Sequence, residues 1–344
     1  MFIILLIPFL VAMFLAINMG GSGTSPSFSA AYGSNIIRKD LIPGLFGLFV
    51  LIGALIAGRK VVLTISGGIL PTETMNFTLT TIILLSVSLT LLIANLLRIP
   101  QSTSQATIFA LIGVATYLNV LQTNKLLFQI IPTWFILPII SLIITLFVGK
   151  FIYNPIKRRG IFRFDKISKY SLLKSTVILT SCYVAFAIGS NNVANVAGPI
   201  TSMTLNKLNI ETNVNNENFL LIFILSVLIV APCFGIGSSI LGRKTIHTTG
   251  KEIIPFGPLG AVLISIVTAT LLLFASVIKG IPTSLVQVNT AAIVGLGISK
   301  VGWRKILISN NSIKRLLIVW IIAPLLALSL SFLLTATADK LNLL

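Results

Sequence analysis

Acidic residues are scarce: seven in 344, against 25 basic ones, for a formal charge of +18, with one histidine, His247. Charged residues make up 9% of the chain, where a soluble domain carries about a quarter. A soluble fold of this length would lack the charged skin that keeps it dispersed. A disordered or fibrous chain would not be 56% hydrophobic. Two cysteines, Cys182 and Cys233, lie in apolar stretches and read as small core residues, with no disulfide or metal framework. No Walker-type glycine-lysine loop occurs, which excludes ATP hydrolysis by that device, and no cofactor is expected. What remains is an integral membrane protein with many spans.

Long apolar runs are plentiful. They cover about 2–19, 42–57, 77–97, 105–121, 130–150, 171–188, 218–241, 257–278, 286–299 and 313–336. Most approach the roughly 20 residues a helix needs to cross a hydrocarbon core. The first run has no basic segment before it and is read as a retained helix, not a signal peptide. Several runs are short or interrupted by Gly and Pro, which predicts broken or re-entrant helices facing protein or a wet cavity.

The excess of Lys and Arg is read as positive-inside topology, not as a nucleic-acid patch. It concentrates between Lys150 and Lys174, where Asp165 is the single acid. The chain therefore divides into a first transmembrane repeat at 1–150, a basic cytoplasmic linker at 151–170 and a second repeat at 171–344. Five runs precede the linker and five follow it. If each crosses once, the halves insert in opposite directions and both termini lie outside a multi-pass cell-membrane protein. Lipid is then its solvent.

The halves resemble each other at three places. Gly20-Gly21-Ser22-Gly23-Thr24-Ser25-Pro26 stands against Gly189-Ser190-Asn191-Asn192-Val193-Ala194-Asn195. Gly58-Arg59-Lys60, Thr64 and Pro71 stand against Gly242-Arg243-Lys244, Thr248 and Pro255. Pro100-Gln101-Ser102, Gln105 and Gly113 stand against Pro282-Thr283-Ser284, Gln287 and Gly295. The order is the same and the spacing nearly constant. The expected fold class is an all-α polytopic membrane protein built from two inverted-topology repeats of about five spans each. Such repeats are common in secondary transporters, with the substrate near the midplane between them.

The polar interruptions mark a candidate site. Amides and hydroxyls inside a bilayer must be hydrogen-bonded or wet, and they serve either as glue between helices or as a substrate site. Asn191, Asn192 and Asn195 form one such group, and Ser22, Thr24 and Ser25 the matching one. Ser102-Thr103-Ser104-Gln105 and Ser284 with Gln287 read as helix starts, Pro before and Ser or Thr capping. Two opposed helix N-termini would aim free N–H groups and positive dipole ends at one place, a neutral donor cage for an oxyanion. No carboxylate lies in these motifs. Sulfate near neutral pH only accepts hydrogen bonds, whereas protonated phosphate also donates, so the pattern leans towards sulfate. His247, an interfacial loop residue on the simplest view, could instead carry a proton with Glu252 or Glu73.

At Gly189 to Pro199 the sequence resembles the PiT family of inorganic phosphate transporters, whose Gly-Ala-Asn-Asp-Val-Ala-Asn signature reads here Gly189-Ser190-Asn191-Asn192-Val193-Ala194-Asn195. The family's Pro-x-Ser-Thr-Thr-His element is similar to Pro100-Gln101-Ser102-Thr103-Ser104-Gln105, and more faintly to Pro282 to Gln287. The family Asp, implicated in sodium coordination, is replaced by Asn192 and by Gly23. The forms Gly20-Gly21-Ser22-Gly23, Ala31-Tyr32-Gly33-Ser34 and Ile65 to Pro71 resemble the CysP-type sulfate permease branch. That resemblance implies sulfate uptake linked to a proton, with sodium the other coupling ion to consider.

The expectation is a secondary active permease for a tetrahedral oxyanion, sulfate ahead of phosphate, and not an enzyme. Ser102, Thr103, Ser104 and Ser284 would donate to the anion. Gln105 and Gln287 would orient neighbours or touch it. Asn191, Asn192, Asn195, Ser22, Thr24 and Ser25 would line the site or a weak cation position. A homodimer is left open. One rival is an intramembrane serine protease, since Gly20-Gly21-Ser22-Gly23 fits the rhomboid Gly-x-Ser-Gly motif and His247 could be its base. Another is a membrane scaffold, which would leave the paired polar interruptions without a purpose.

Overall fold

Each of the ten apolar runs forms a helix. The computed structural model describes residues 2–97, 101–158, 171–210, 216–242, 256–302 and 311–344, the side chains of 2–5, 301 and 311–319 excepted. In the first half, α1 is Phe2–Gly33, α2 Ile42–Ala57, α3 Arg59–Gly67, α4 Phe77–Leu96, α5 Thr103–Tyr117 and α6 Thr123–Arg158. In the second, α7 is Ser171–Asn192, α8 Ala194–Lys207, α9 Glu217–Gly242, α10 Gly257–Lys279, α11 Leu285–Val301 and α12 Asn311–Lys340. Among the described residues seven helices are long and apolar enough to cross a membrane. Their outer faces carry large exposed apolar side chains such as Phe128, Phe135, Leu179 and Ile322, the mark of a surface solvated by lipid.

Three elements fall short of a full crossing. Helices α2 and α3 form one apolar unit bent by 72° at Gly58. Helices α5 and α11 have 15 and 17 residues. At 1.5 Å per residue they reach about 22 and 26 Å, less than a hydrocarbon core of about 30 Å. The broken helices expected from Gly and Pro thus lie at α2–α3 and at the two Ser-capped starts. The Asn-rich segment is different. It leaves the backbone helical: α7 ends at Asn192, α8 begins at Ala194, and Val193 between them has φ −60° and ψ −31°. The basic segment differs as well. Its residues 151–158 continue α6 to Arg158, and residues 159–170 lie outside the described part.

The halves are interleaved. Helix α1 packs on α9 and α2 on α7; α5 packs on α12 and α11 on α6. Exchanging α1 with α7, α2 with α9, α4 with α10, α5 with α11 and α6 with α12 maps these contacts onto one another. It also maps α1–α4 onto α7–α10 and α4–α5 onto α10–α11. Glycines set the closest approaches. A Cβ on Gly113 would strike Leu328 and Ser331 of α12, and one on the matching Gly295 would strike Leu142 and Thr145 of α6. Gly20 lies against the backbone of Phe234, and its counterpart Gly189 against that of Val50. The glycine of each motif is therefore a packing requirement, met once in each half.

Candidate functional site

The starts of α5 and α11 are built alike. Ser102, with φ −84° and ψ 109°, caps α5 by accepting from the Gln105 backbone N–H at 3.2 Å. Ser284, with φ −88° and ψ 103°, caps α11 by accepting from Gln287 N–H at 3.2 Å. In the usual Ser-x-x-Gln capping box the glutamine side chain turns back to the cap residue. Here the two glutamines pair with each other. Gln105 Nε2 donates to Gln287 Oε1 at 3.3 Å, and Gln287 Nε2 donates to Gln105 Oε1 at 3.2 Å. The reciprocal amide pair brings the positive ends of two helix dipoles to one place.

The Asn-rich motif holds both caps. Asn191 is fully buried. Its Nδ2 donates to Ser276 Oγ at 2.9 Å, Ile281 O at 3.2 Å and Thr283 Oγ1 at 3.3 Å. Its Oδ1 accepts from Thr283 N–H at 3.1 Å and from Ser104 Oγ at 3.3 Å. One amide thus ties α7 to the end of α10, the loop before α11 and the first turn of α5. Asn195, one helical turn on, donates to Ser104 Oγ at 3.1 Å and Thr103 Oγ1 at 3.4 Å. The i, i+4 spacing puts both asparagines on one face of a continuous helix, which an unwound segment would not do.

A census of the remaining valences defines the chemistry. The oxygens of Ser102, Ser284, Thr103 and Thr283 all accept from protein donors, which leaves their O–H protons for an outside acceptor. Ser104 already donates to Asn191. The buried oxygens Asn192 Oδ1 and Asn195 Oδ1 have no partner, and neither amide atom of the 4% exposed Gln101 has one. Such unpaired buried groups cost about 1–3 kcal/mol each unless something enters to meet them. Four described acids, Asp40, Glu73, Glu217 and Asp339, are exposed. Among the described residues no cluster of His, Cys, Asp or Glu could hold a metal ion.

The α1 motif stays apart from this network. Thr24 Oγ1 donates to Gly20 O at 2.6 Å and Ser22 Oγ to Met19 O at 3.1 Å, both within α1. Ser25 Oγ is buried without a partner. His247 and Glu252 lie outside the described residues, and Glu73 is exposed on a 3-10 turn, Thr72–Thr74. Sequence reasoning left out Thr283, Ser276 and Gln101. Thr283 and Gln101 stand inside the two Pro-led motifs, so position in the motif was the available signal. Ser276 lies in an apolar run and gave none.

Comparison with known proteins follows the same lines. The sequence pattern of the phosphate transporter family matches residues 19–164 and 159–331. The chain is 34% identical over 335 residues to a protein of Bacillus subtilis named sulfate permease CysP, across 95% of this chain and 86% of that one. It is 30% identical over 120 residues to the human sodium-dependent phosphate transporter 2, across 35% of this chain and 18% of that one. A solved structure titled the sodium-dependent phosphate transporter superposes with a TM-score of 0.80 at 22% identity, covering 98% of this chain and 99% of the other. The two share a fold.

Proposed function

The chain belongs to the phosphate transporter family, and on that premise we propose that it is a secondary active permease for an inorganic tetrahedral oxyanion, with sulfate as preferred cargo. One observation carries the reading. Two helix N-termini, capped by Ser102 and Ser284, meet through the Gln105–Gln287 pair in a buried, hydroxyl-rich place with no described carboxylate. Hydroxyl protons of Ser102, Thr103, Thr283 and Ser284, backed by first-turn N–H groups, would bind an anion that only accepts. Asn191 and Ser104 then act by holding the caps in place, since their polar atoms are already engaged. The similarity to a protein named as a sulfate permease supports the same choice.

A second cargo has an observation in its favour. Asn192 Oδ1 and Asn195 Oδ1 are acceptors without a partner, and the hydroxyl of a protonated phosphate would satisfy one of them. A weakly held cation would suit the same oxygens, so sodium joins the proton as coupling ion. His247, Glu252 and Glu73 remain the candidates for carrying a proton. The two cap helices pack on the last helices of the opposite halves, so rocking that parts the Gln105–Gln287 pair would open the cage. In the proposed orientation the halves insert oppositely, the basic segment faces the cytoplasm and both termini lie outside.

Uptake into proteoliposomes tests cargo and coupling together. Labelled sulfate and labelled phosphate are compared, each with and without sodium and a pH gradient. Sulfate accumulation driven by a proton gradient is the expected result. Phosphate uptake without sulfate uptake would overturn the cargo assignment.

A further inference from the structure

A cage of neutral donors is short of charge for a dianion, and the fold ties a cation to the segment that leads to its second cap. Lys125 is half-buried at the third position of α6. Its stem crosses the end of α3, where a Cβ on Gly68 would meet Lys125 Cδ at 3.3 Å. Lys125 Nζ donates to Thr64 Oγ1 at 2.7 Å, and that buried hydroxyl donates onward to Gly280 O at 2.6 Å. Gly280 has φ 64°, and a Cβ there would strike the Lys60 backbone, so the junction accepts only glycine.

The next four residues, Ile281 to Ser284, lead into α11 and end on its cap. Ile281 O and Thr283 N–H bond to Asn191, and Trp134 Nε1 donates to Pro282 O at 2.8 Å. The segment that carries the second cap is thus pinned on one side by Asn191 and on the other by the Lys125–Thr64 chain. Four residues span at most about 14 Å, and with the two hydrogen bonds added this puts the ammonium within roughly 20 Å of Ser284. Among the described residues no carboxylate pairs with it.

We propose that Lys125 is the fixed positive charge that lets this uncharged cage hold a doubly charged oxyanion. The inference rests on the oxyanion reading above and adds its source of charge. Even at about 20 Å from a dianion, a single charge at an effective dielectric near 20 changes occupancy by roughly tenfold. The plainer role for Lys125 is to complement the C-terminal dipole of α3, the end of which its stem crosses. The two roles differ in what they do to affinity.

The test is the sulfate dependence of uptake by the full chain in proteoliposomes. Lys125→Gln should raise the half-saturation concentration about tenfold with little change in maximal rate, and Lys125→Arg should stay within about threefold of the parent. Thr64→Val, which keeps the charge and loses the bond, should shift half-saturation less than Lys125→Gln does. An unchanged half-saturation in Lys125→Gln, or a lower maximal rate alone, would overturn the proposal. Should Lys125→Gln not reach the membrane, Lys125→Cys is treated with a positively charged and with a neutral thiol reagent. Recovery of affinity with the charged reagent alone supports the proposal, and equal effects overturn it. A parent protein that takes up neither sulfate nor phosphate would remove the carrier reading itself. An active carrier indifferent to Lys125→Gln would remove only the charge.

Discussion

The polar motif on α1 and the one spanning α7 and α8 occupy matching places in the two halves and behave differently. Asn191 and Asn195 reach across to α5, α10 and the start of α11. Ser22 and Thr24 fold back onto carbonyls of their own helix. Length and valence explain the contrast. An amide extends past the helix surface with donor and acceptor together, whereas a short hydroxyl in a helix readily bonds the carbonyl one turn back. The packing contacts recur across the two halves, while the asparagines of this motif belong to one. A duplicated scaffold can therefore hold two matched caps with a single set of asparagines.

Substitutions can break that contrast or sharpen it. The largest effect is expected from Asn191→Ala, which strands Thr283 N–H and Ile281 O inside the protein and takes the acceptor from the Ser104 hydroxyl. At about 1–3 kcal/mol for each unsatisfied group, uptake should fall by about 100-fold or more, with a lower melting temperature in detergent. Near-normal uptake would mean that the caps hold themselves. Next come Ser102→Ala and Ser284→Ala, each losing a cap worth about 1 kcal/mol together with one donor to the anion. Transport should drop roughly 10–100-fold in both, and strongly unequal losses would show that only one cap touches cargo.

The Gln105–Gln287 pair offers a finer measurement. Gln105→Leu alone leaves Gln287 facing an apolar partner, so it should cost more than the double change to leucine. A thermodynamic cycle in detergent should return a coupling of roughly 0.5–3 kcal/mol, and an additive result would dissolve the pair. The smallest effect belongs to Ser22→Ala and Thr24→Ala, whose hydroxyls are engaged within α1. Uptake should stay within about twofold of the parent, in line with the small worth of a local back-bond. A loss comparable to Asn191→Ala would place the α1 motif in the site after all.

Much of the scaffold was legible beforehand because its signals are local. Apolar length gave the helices, and the Pro-led Ser-x-x-Gln motifs gave both caps. The paired glycines Gly113 and Gly295 stood out in sequence and sit at equivalent close approaches. The Asn-rich segment reads as an interruption of a run, yet polar side chains do not break a backbone whose own hydrogen bonds stay intact, and α7 continues into α8 nearly without pause. Gln101 was passed over because nothing in its type says that both its amide atoms end up buried without partners. Nothing in the sequence set Lys125 apart from the other basic residues; its place follows from α3 and the α10–α11 turn lying against it.

By itself the sequence determined a lipid-solvated bundle of helices, motifs that recur in the two halves and two capped helix starts free of acids. These follow from hydropathy, chain length and backbone valence, which act between near neighbours. The tertiary structure alone decided that the two starts meet through their glutamines, that one asparagine serves both, and that a lysine charge stands behind the second cap. Those outcomes depend on which residues 61 to 216 positions apart come within hydrogen-bonding distance, and only the packing of the helices against one another sets that.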